Sequence, residues 1–286
     1  MNIIAISEGG LGNQMFQYAF YKAYKRHHKD TKLDIRGLWN EKGVCHNNYE
    51  LSRIFKLNMD IATMKERNYF FKRNIFFKRI EKKEKFYYCK DVNEAISFNK
   101  NMFNIKDKYI YGYFQSEKYF DNIKDIIKRD FTSWDILDND NKQILNDIKK
   151  NNSVSIHIRR GDYLKIADTQ GICTLLYYQR AIEKICSIIE KPKFYIFSND
   201  ISWCKKNLDI KNAIFIGHND GINSYKDMQL MSNCQHNIIA NSTFSWWGAW
   251  LNSNKKKIVI SPNQWMQSTN GTGDIIPENW IKIGGI

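Results

Sequence analysis

Ile238-Ile239-Ala240-Asn241-Ser242-Thr243-Phe244-Ser245-Trp246-Trp247-Gly248-Ala249-Trp250-Leu251 reads as a short buried strand running into a helix. Asn241 or Ser242 can cap that helix, and Trp247, Trp250 and Leu251 then fall at i, i+3 and i+4 on one face. A strand feeding a hydroxyl-rich helix start is a place to hold an anion. Backbone N–H groups and the positive end of the helix dipole point at the ligand, and Ser and Thr hydroxyls add donors. A capped helix with a tryptophan core face explains the tryptophans. It explains less well Ser242, Thr243 and Ser245, three hydroxyls within four positions.

A second run has the same character. Val154, Ile156 and Ile158 alternate as in a strand and lead into His157-Ile158-Arg159-Arg160-Gly161-Asp162-Tyr163. Two guanidiniums at a glycine turn suit a diphosphate, because each can bind phosphate oxygens in a bidentate way. Ligands of open parallel sheets collect at that carboxyl edge. Arg159 and Arg160 should point to opposite sides, so only one is expected to meet a ligand.

The rest of the chain alternates strands and helices. Ile3 to Ile6, the helix Gln14 to His28 and Lys32 to Ile35 form a β-loop-α-β opening, whereas Gly37 to Lys108 is polar, basic and hard to parse. Tyr109 to Tyr113 returns to strand character, and Glu117 to Arg129 and Asp138 to Lys150 read as helices. Asn151-Asn152 marks a break, which divides the chain into domains 1-150 and 151-286. Beyond it, helix Thr174 to Ile189, strand Lys193 to Phe197, strand Ala213 to Ile216, helix Asn223 to Asn233 and strand Lys257 to Ser261 follow in turn. Short connections between alternating β and α predict an α/β fold with parallel sheets covered on both faces.

Five segments, taken in order, resemble the successive motifs of α-1,2-fucosyltransferases of glycosyltransferase family 11. They are Gly9-Gly10-Leu11-Gly12-Asn13-Gln14-Met15-Phe16-Gln17-Tyr18, Gly112 to Phe120, His157 to Tyr163, Phe197-Ser198-Asn199-Asp200 and Asn241 to Leu251. They span most of the chain. The resemblance implies a GT-B fold, with two Rossmann-like doubly wound domains facing across a cleft. Residues 1-150 would form the acceptor side and 151-286 would bind GDP-fucose. It further implies an inverting transfer of L-fucose from GDP-β-L-fucose to the 2-hydroxyl of a terminal β-galactoside, with no metal. The acceptor would be a surface glycan such as O-antigen or capsule, lipid-linked during assembly.

Without a metal, the departing diphosphate must be met by cations and N–H donors. Arg159 and the helix start at Asn241, Ser242, Thr243, Phe244 and Ser245 are the donor-binding candidates. Asp138-Asn139-Asp140 has the form of an Asp-x-Asp metal motif but sits where a helix begins, which favours capping. By resemblance, His157 contacts the donor and Asp227 holds guanine, whose N1–H and exocyclic amine a carboxylate accepts together. Glu8 to Asn13 is similar to a dinucleotide turn but lacks the third glycine. Its Asn13 is assigned to the reaction centre, again by resemblance. Catalytic candidates are therefore Asn13, His157, Arg159 and Asp162. A carboxylate as close to guanidiniums as Asp162 is expected to have a depressed pKa and to orient them instead of acting as base.

Composition sets outer bounds. The 286 residues carry 44 basic and 30 acidic side chains, net +14, which points to anionic partners. No nucleic-acid motif accompanies the charge, and the paired arginines suit one diphosphate better than a polyanion. A nucleic-acid-binding protein is the alternative of a different class; another GDP-sugar or linkage is the alternative among enzymes. Lys65 to Lys85 holds nine Lys or Arg and three acidic residues, interleaved with Phe70-Phe71 and Phe76-Phe77. An amphipathic helix there would lie on an anionic membrane. The start Met1 to Ile6 lacks a signal-peptide pattern, and Cys45, Cys89, Cys173, Cys186, Cys204 and Cys234 form no C-x-x-C pair. Reduced thiols and a cytoplasmic enzyme, peripheral on the inner membrane face, are expected.

Overall fold

The computed structural model describes residues 1–6, 9–36, 48–73, 79–89, 91–135, 137–169, 171–269 and 271–284. Glu8, Cys45 and Phe76-Phe77 lie outside them, as does the side chain of Asp162. The chain divides into two compact units, Met1–Ser133 and Trp134–Ile286. This division falls ahead of the 150/151 boundary expected from sequence. The helix Asn139–Lys150 belongs to the second unit because its Asp147 accepts bonds from Lys193 and Tyr195, and because it packs on the helix Tyr225–Asn233.

The first unit contains β1 (Ile3–Ala5), the helix Leu11–His27, β2 (Lys32–Asp34), β3 (Phe71–Arg73), β4 (Arg79–Glu81), β5 (Phe86–Tyr88) and β6 (Tyr109–Tyr111). Its parallel sheet runs β2-β1-β6-β5, so the strand order reverses between β1 and β6. Ile3, Ala5, Tyr109 and Tyr111 alternate onto one face and pack with Ala62, Phe70 and Phe86. Strand β5 was hidden in the stretch that sequence reading could not parse. Its Phe86-Tyr87-Tyr88 shows no alternation of apolar and polar residues, and the pairing with β6 identifies it as a strand.

The basic stretch corrects an expectation. Its described residues form no long amphipathic helix, but the short helix Met64–Tyr69, closed by a reciprocal Thr63–Glu66 capping box, and the antiparallel β3-β4 pair. Phe70 is fully buried, and Phe71 packs edge-on against Phe86 and Tyr109. Arg67 meets the buried carboxylate of Asp34 at 2.7 Å and lies over the Phe71 ring; Tyr109 donates a further hydrogen bond to Asp34. The Phe70-Phe71 pair therefore belongs to the core and is withheld from lipid. Among the described residues no helix is long and apolar enough to cross a membrane.

The second unit carries β7 (Ser153–Ile158), β8 (Lys193–Ser198), β9 (Ala213–Ile216), β10 (His236–Ile238), β11 (Val259–Pro262) and β12 (Ile281–Ile283). All pair in parallel, in the order β12-β11-β10-β7-β8-β9. Counted along the chain this is the doubly wound order, with its reversal between β7 and β10. Val154, Ile156 and Ile158 pack with Tyr177, Tyr178, Ala181 and Ile185 of the helix Leu175–Cys186, whose N-terminus Thr174 caps. Ser155 and His157 take the opposite face, beside Asn237 and Phe244. That face is covered by the helices Tyr225–Asn233 and Thr243–Leu251.

The tryptophan helix is more deeply set than its sequence pattern suggested. Every residue from Ser245 to Leu251 is buried, Trp246 included, as expected of a helix that is apolar all round. Gly248 permits its close approach to the neighbouring helix, since a Cβ there would lie 3.1 Å from Met231 Cβ. At its far end, Lys257 donates to the carbonyls of Ala249, Trp250 and Asn252, a cation on the negative end of the helix. The helix is pinned at both depth and end.

Candidate active site

The two runs that opened the sequence reading meet at the reversal of the second sheet. The His157–Tyr163 segment leaves β7 and the Asn241–Leu251 segment leaves the adjacent β10. In an open parallel sheet this is the crevice where ligands bind, because the connections on either side of it depart to opposite faces. Tyrosine hydroxyls fix its edges. Tyr178 donates to the carbonyl of His157, Tyr177 to that of Ile239, and Tyr163 to that of Asn241.

The arginines divide as alternation requires. The guanidinium of Arg160 bonds Asp200 at 3.2 Å and stacks 3.8 Å from the Trp203 ring centre. Its backbone N–H donates to Asn199 Oδ1, while Gly161, at φ +34°, turns toward the Asn199 side chain, where a Cβ would clash. Asp200 also caps the helix Ile201–Asn207. Arg160 thus braces the turn, with Asp200 as its carboxylate partner. Arg159 is half-buried, with its guanidinium 5.4 Å from the Tyr163 ring centre.

At the helix start, Ser242 occupies the capping position without making a side-chain capping bond, so its hydroxyl leaves the first-turn N–H groups uncapped. Ser245 turns its hydroxyl back to the carbonyl of Ser242. Asn241 is engaged within the protein: its amide donates to the carbonyl of Trp265 and accepts from the thiol of Cys173. Asn241 therefore shapes the turn, while Thr243 and Phe244 are half-buried beside it.

His157 is buried, its ring 5.7 Å from that of Phe244, and its Nδ1 has no hydrogen-bond partner. Burial, reinforced by the charge of Arg159, pushes its pKa down to about 3. The imidazole is neutral at physiological pH and can serve as a hydrogen-bonding group but not as a proton-carrying acid.

Asp227 sits in the first turn of the helix Tyr225–Asn233. This helix starts at the same sheet edge as the tryptophan helix, its packed neighbour. The carboxyl is buried and accepts one hydrogen bond, from Asn219 Nδ2 at 2.8 Å. Burial, partly offset by that bond, raises its pKa to about 7. Asp138 behaves as a cap: it accepts from the backbone N–H of Asn141 and pairs with Lys226. Among the described residues no group of three or more His, Cys, Asp or Glu side chains is placed to hold a metal ion.

Asn13 belongs to the first unit, where two motifs likewise meet at the reversal between β1 and β6. Gln115 Nε2 donates to Asn13 Oδ1 at 2.8 Å, and Gln17 Nε2 donates to the carbonyl of Gly112. Gly9, at φ +86°, lies under the Asn13 side chain, leaving no room for a Cβ. Sequence reading named Asn13 but overlooked Gln115, which lay within a quoted motif. Asn199 likewise lay within a quoted motif without being assigned a role, whereas Asn141 and Asn219 are isolated amides that carry no motif of their own.

A parallel α/β unit with a guanidinium and an uncapped helix start at its strand-order reversal defines a class of protein built to hold an anionic ligand. The chain belongs to glycosyl transferase family 11, whose model matches residues 5–284. It is 36% identical to an α-1,2-colitosyltransferase of Escherichia coli, over 98% of both chains. It is 30% identical to the O-antigen biosynthesis glycosyltransferase WbnK of Escherichia coli, over 96% of this chain and 98% of the relative. A galactoside α-(1,2)-fucosyltransferase 1 of Homo sapiens is 28% identical over 49% of this chain and 42% of its own.

Proposed function

We propose that this glycosyltransferase moves L-fucose from GDP-β-L-fucose to the 2-hydroxyl of a terminal β-galactoside, with inversion, during assembly of a surface glycan such as O-antigen. The observation that carries the reading is the meeting of the Arg159 and Ser242–Ser245 segments at the β7/β10 reversal of a family 11 chain. The α-1,2 linkage in the names of two relatives supports the linkage, and the O-antigen role of the third supports the acceptor class. In this reading Arg159 and the first-turn N–H groups neutralise the diphosphate and Asp227 accepts from guanine. The neutral His157 contacts the donor.

Colitose is the second donor sugar to consider, because the relative matched at 36% is a colitosyltransferase. Incubation with GDP-fucose or GDP-colitose and a panel of lactose, Gal-β-GalNAc and Gal-β-GlcNAc, followed by linkage analysis, separates the two. An α-1,2-fucosylated product is expected. Turnover with GDP-colitose alone would transfer the reading to that sugar, and any other linkage would overturn the acceptor assignment.

The diphosphate grip proposed here uses no metal, so activity should survive EDTA. Complete loss on chelation, restored by manganese or magnesium, would reject it. Contact with an anionic membrane is retained in this reading as an electrostatic one through exposed Lys65, Lys72 and Lys83, since Phe70 lies in the core.

A further inference from the structure

The Asp138-Asn139-Asp140 segment, which caps a helix, is joined to Asp227 through a chain of hydrogen bonds. Asp138 holds the amide of Asn141 through both carboxylate oxygens, each at 3.0 Å. Asn141 and Asn219 then pair reciprocally, with Nδ2 to Oδ1 distances of 2.9 and 2.8 Å. Asn219 passes its second amide hydrogen to Asp227 Oδ1. The chain closes on itself, because Lys226, next to Asp227, donates to Asp138. Asn141 is fully buried and Asn219 nearly so, and His218 Nε2 lies 3.2 Å from Asn141 Oδ1.

A buried amide pair of this kind is a rigid object. Each amide is fixed by two partners, so neither can flip without breaking bonds that water cannot replace. Asn219 links it to Asp227. A solvated acidic residue on a helix would need no such support, whereas a carboxylate that must meet two donors on a planar base needs a fixed rotamer.

We propose that the Asn141–Asn219 pair is the base-selecting support of the donor site: Asn219 anchors Asp227 Oδ1, so that the carboxylate is held to accept the N1–H and exocyclic amine of guanine. Asn219 and Asn141 are positioning residues that touch no substrate. The inference rests on the GDP-linked donor proposed above.

The test is calorimetric titration of GDP, IDP and UDP into wild type, Asn219→Ala and Asn141→Ala, with circular dichroism melting to establish folding. IDP keeps N1–H and lacks the exocyclic amine. Wild type should prefer GDP to IDP, and both to UDP. Asn219→Ala should weaken GDP on the order of tenfold, the weight of one lost hydrogen bond to a charged group. It should also bring the GDP-to-IDP ratio toward one, raising donor KM while kcat at saturation stays within about twofold. Asn141→Ala, a step further away, should move the ratio in the same direction by less, and it decides the matter if Asn219→Ala does not fold. A GDP-selective wild type whose folded variants keep the ratio would overturn this inference alone. A wild type that binds UDP as tightly as GDP would overturn the donor reading and the inference with it.

Discussion

Replacing Arg159 by Ala is expected to lower kcat/KM by about 2–4 kcal/mol of transition-state stabilisation, a loss of roughly 30- to 1000-fold. On the proposed mechanism, charge grows on the diphosphate as the glycosidic bond breaks, and the Arg159 guanidinium would meet it in a bidentate way. Arg159→Lys should recover little, because an ammonium supplies the charge without the fork. Arg160→Ala is the internal control. Its side chain is occupied by Asp200 and Trp203, so its loss should act through the shape of the turn and cost less in kcat. Steady-state kinetics on folded variants decides between them. Near wild-type kcat/KM for Arg159→Ala would make Arg160 the diphosphate ligand.

Asp227→Asn should move stability and binding in opposite directions. The carboxyl titrates near 3.9 in an unfolded chain, and burial raises it to about 7 in the folded protein. The folded state therefore holds a proton that the unfolded state releases over this window. The stability tied to that proton is present below about pH 4, declines as pH rises, and is lost above about pH 7. An amide cannot ionise, so the variant should escape the decline. It should match wild type near pH 4 and exceed it above pH 7 by on the order of 4 kcal/mol. GDP binding should fall at least about tenfold, since the paired acceptor for guanine is gone. In wild type, GDP affinity should rise as pH increases through about 7, where the carboxylate forms. Urea unfolding at acidic and mildly alkaline pH, alongside GDP titration, measures both. A variant less stable than wild type above pH 7, or one with unchanged GDP affinity, would assign Asp227 to the core.

Much of this site was legible in the sequence because its parts are local. Strand alternation at Val154 to Ile158 separated the two arginines, and the structure gives Arg160 to Asp200 while Arg159 lies beside Tyr163. The strand-to-helix transition at Asn241 was visible from composition, and Asp138 was read as a cap for its place at a helix start. What escaped was what depends on contacts far apart in sequence. Asn141 and Asn219 are 78 positions apart, and nothing in either neighbourhood announces the pair. The aromatic run around Phe70 has the composition of an interfacial helix, but it is drawn into the core by Phe86 and Tyr109.

The donor nucleotide is expected to bind at the β7/β10 reversal of the second unit. Hydrogen–deuterium exchange with and without saturating GDP tests it most directly. Protection is expected in 157–163, 225–228 and 241–248, with UDP giving none. Protection confined to 9–27 and 109–120, or none in the second unit, would rule out nucleotide binding at that reversal.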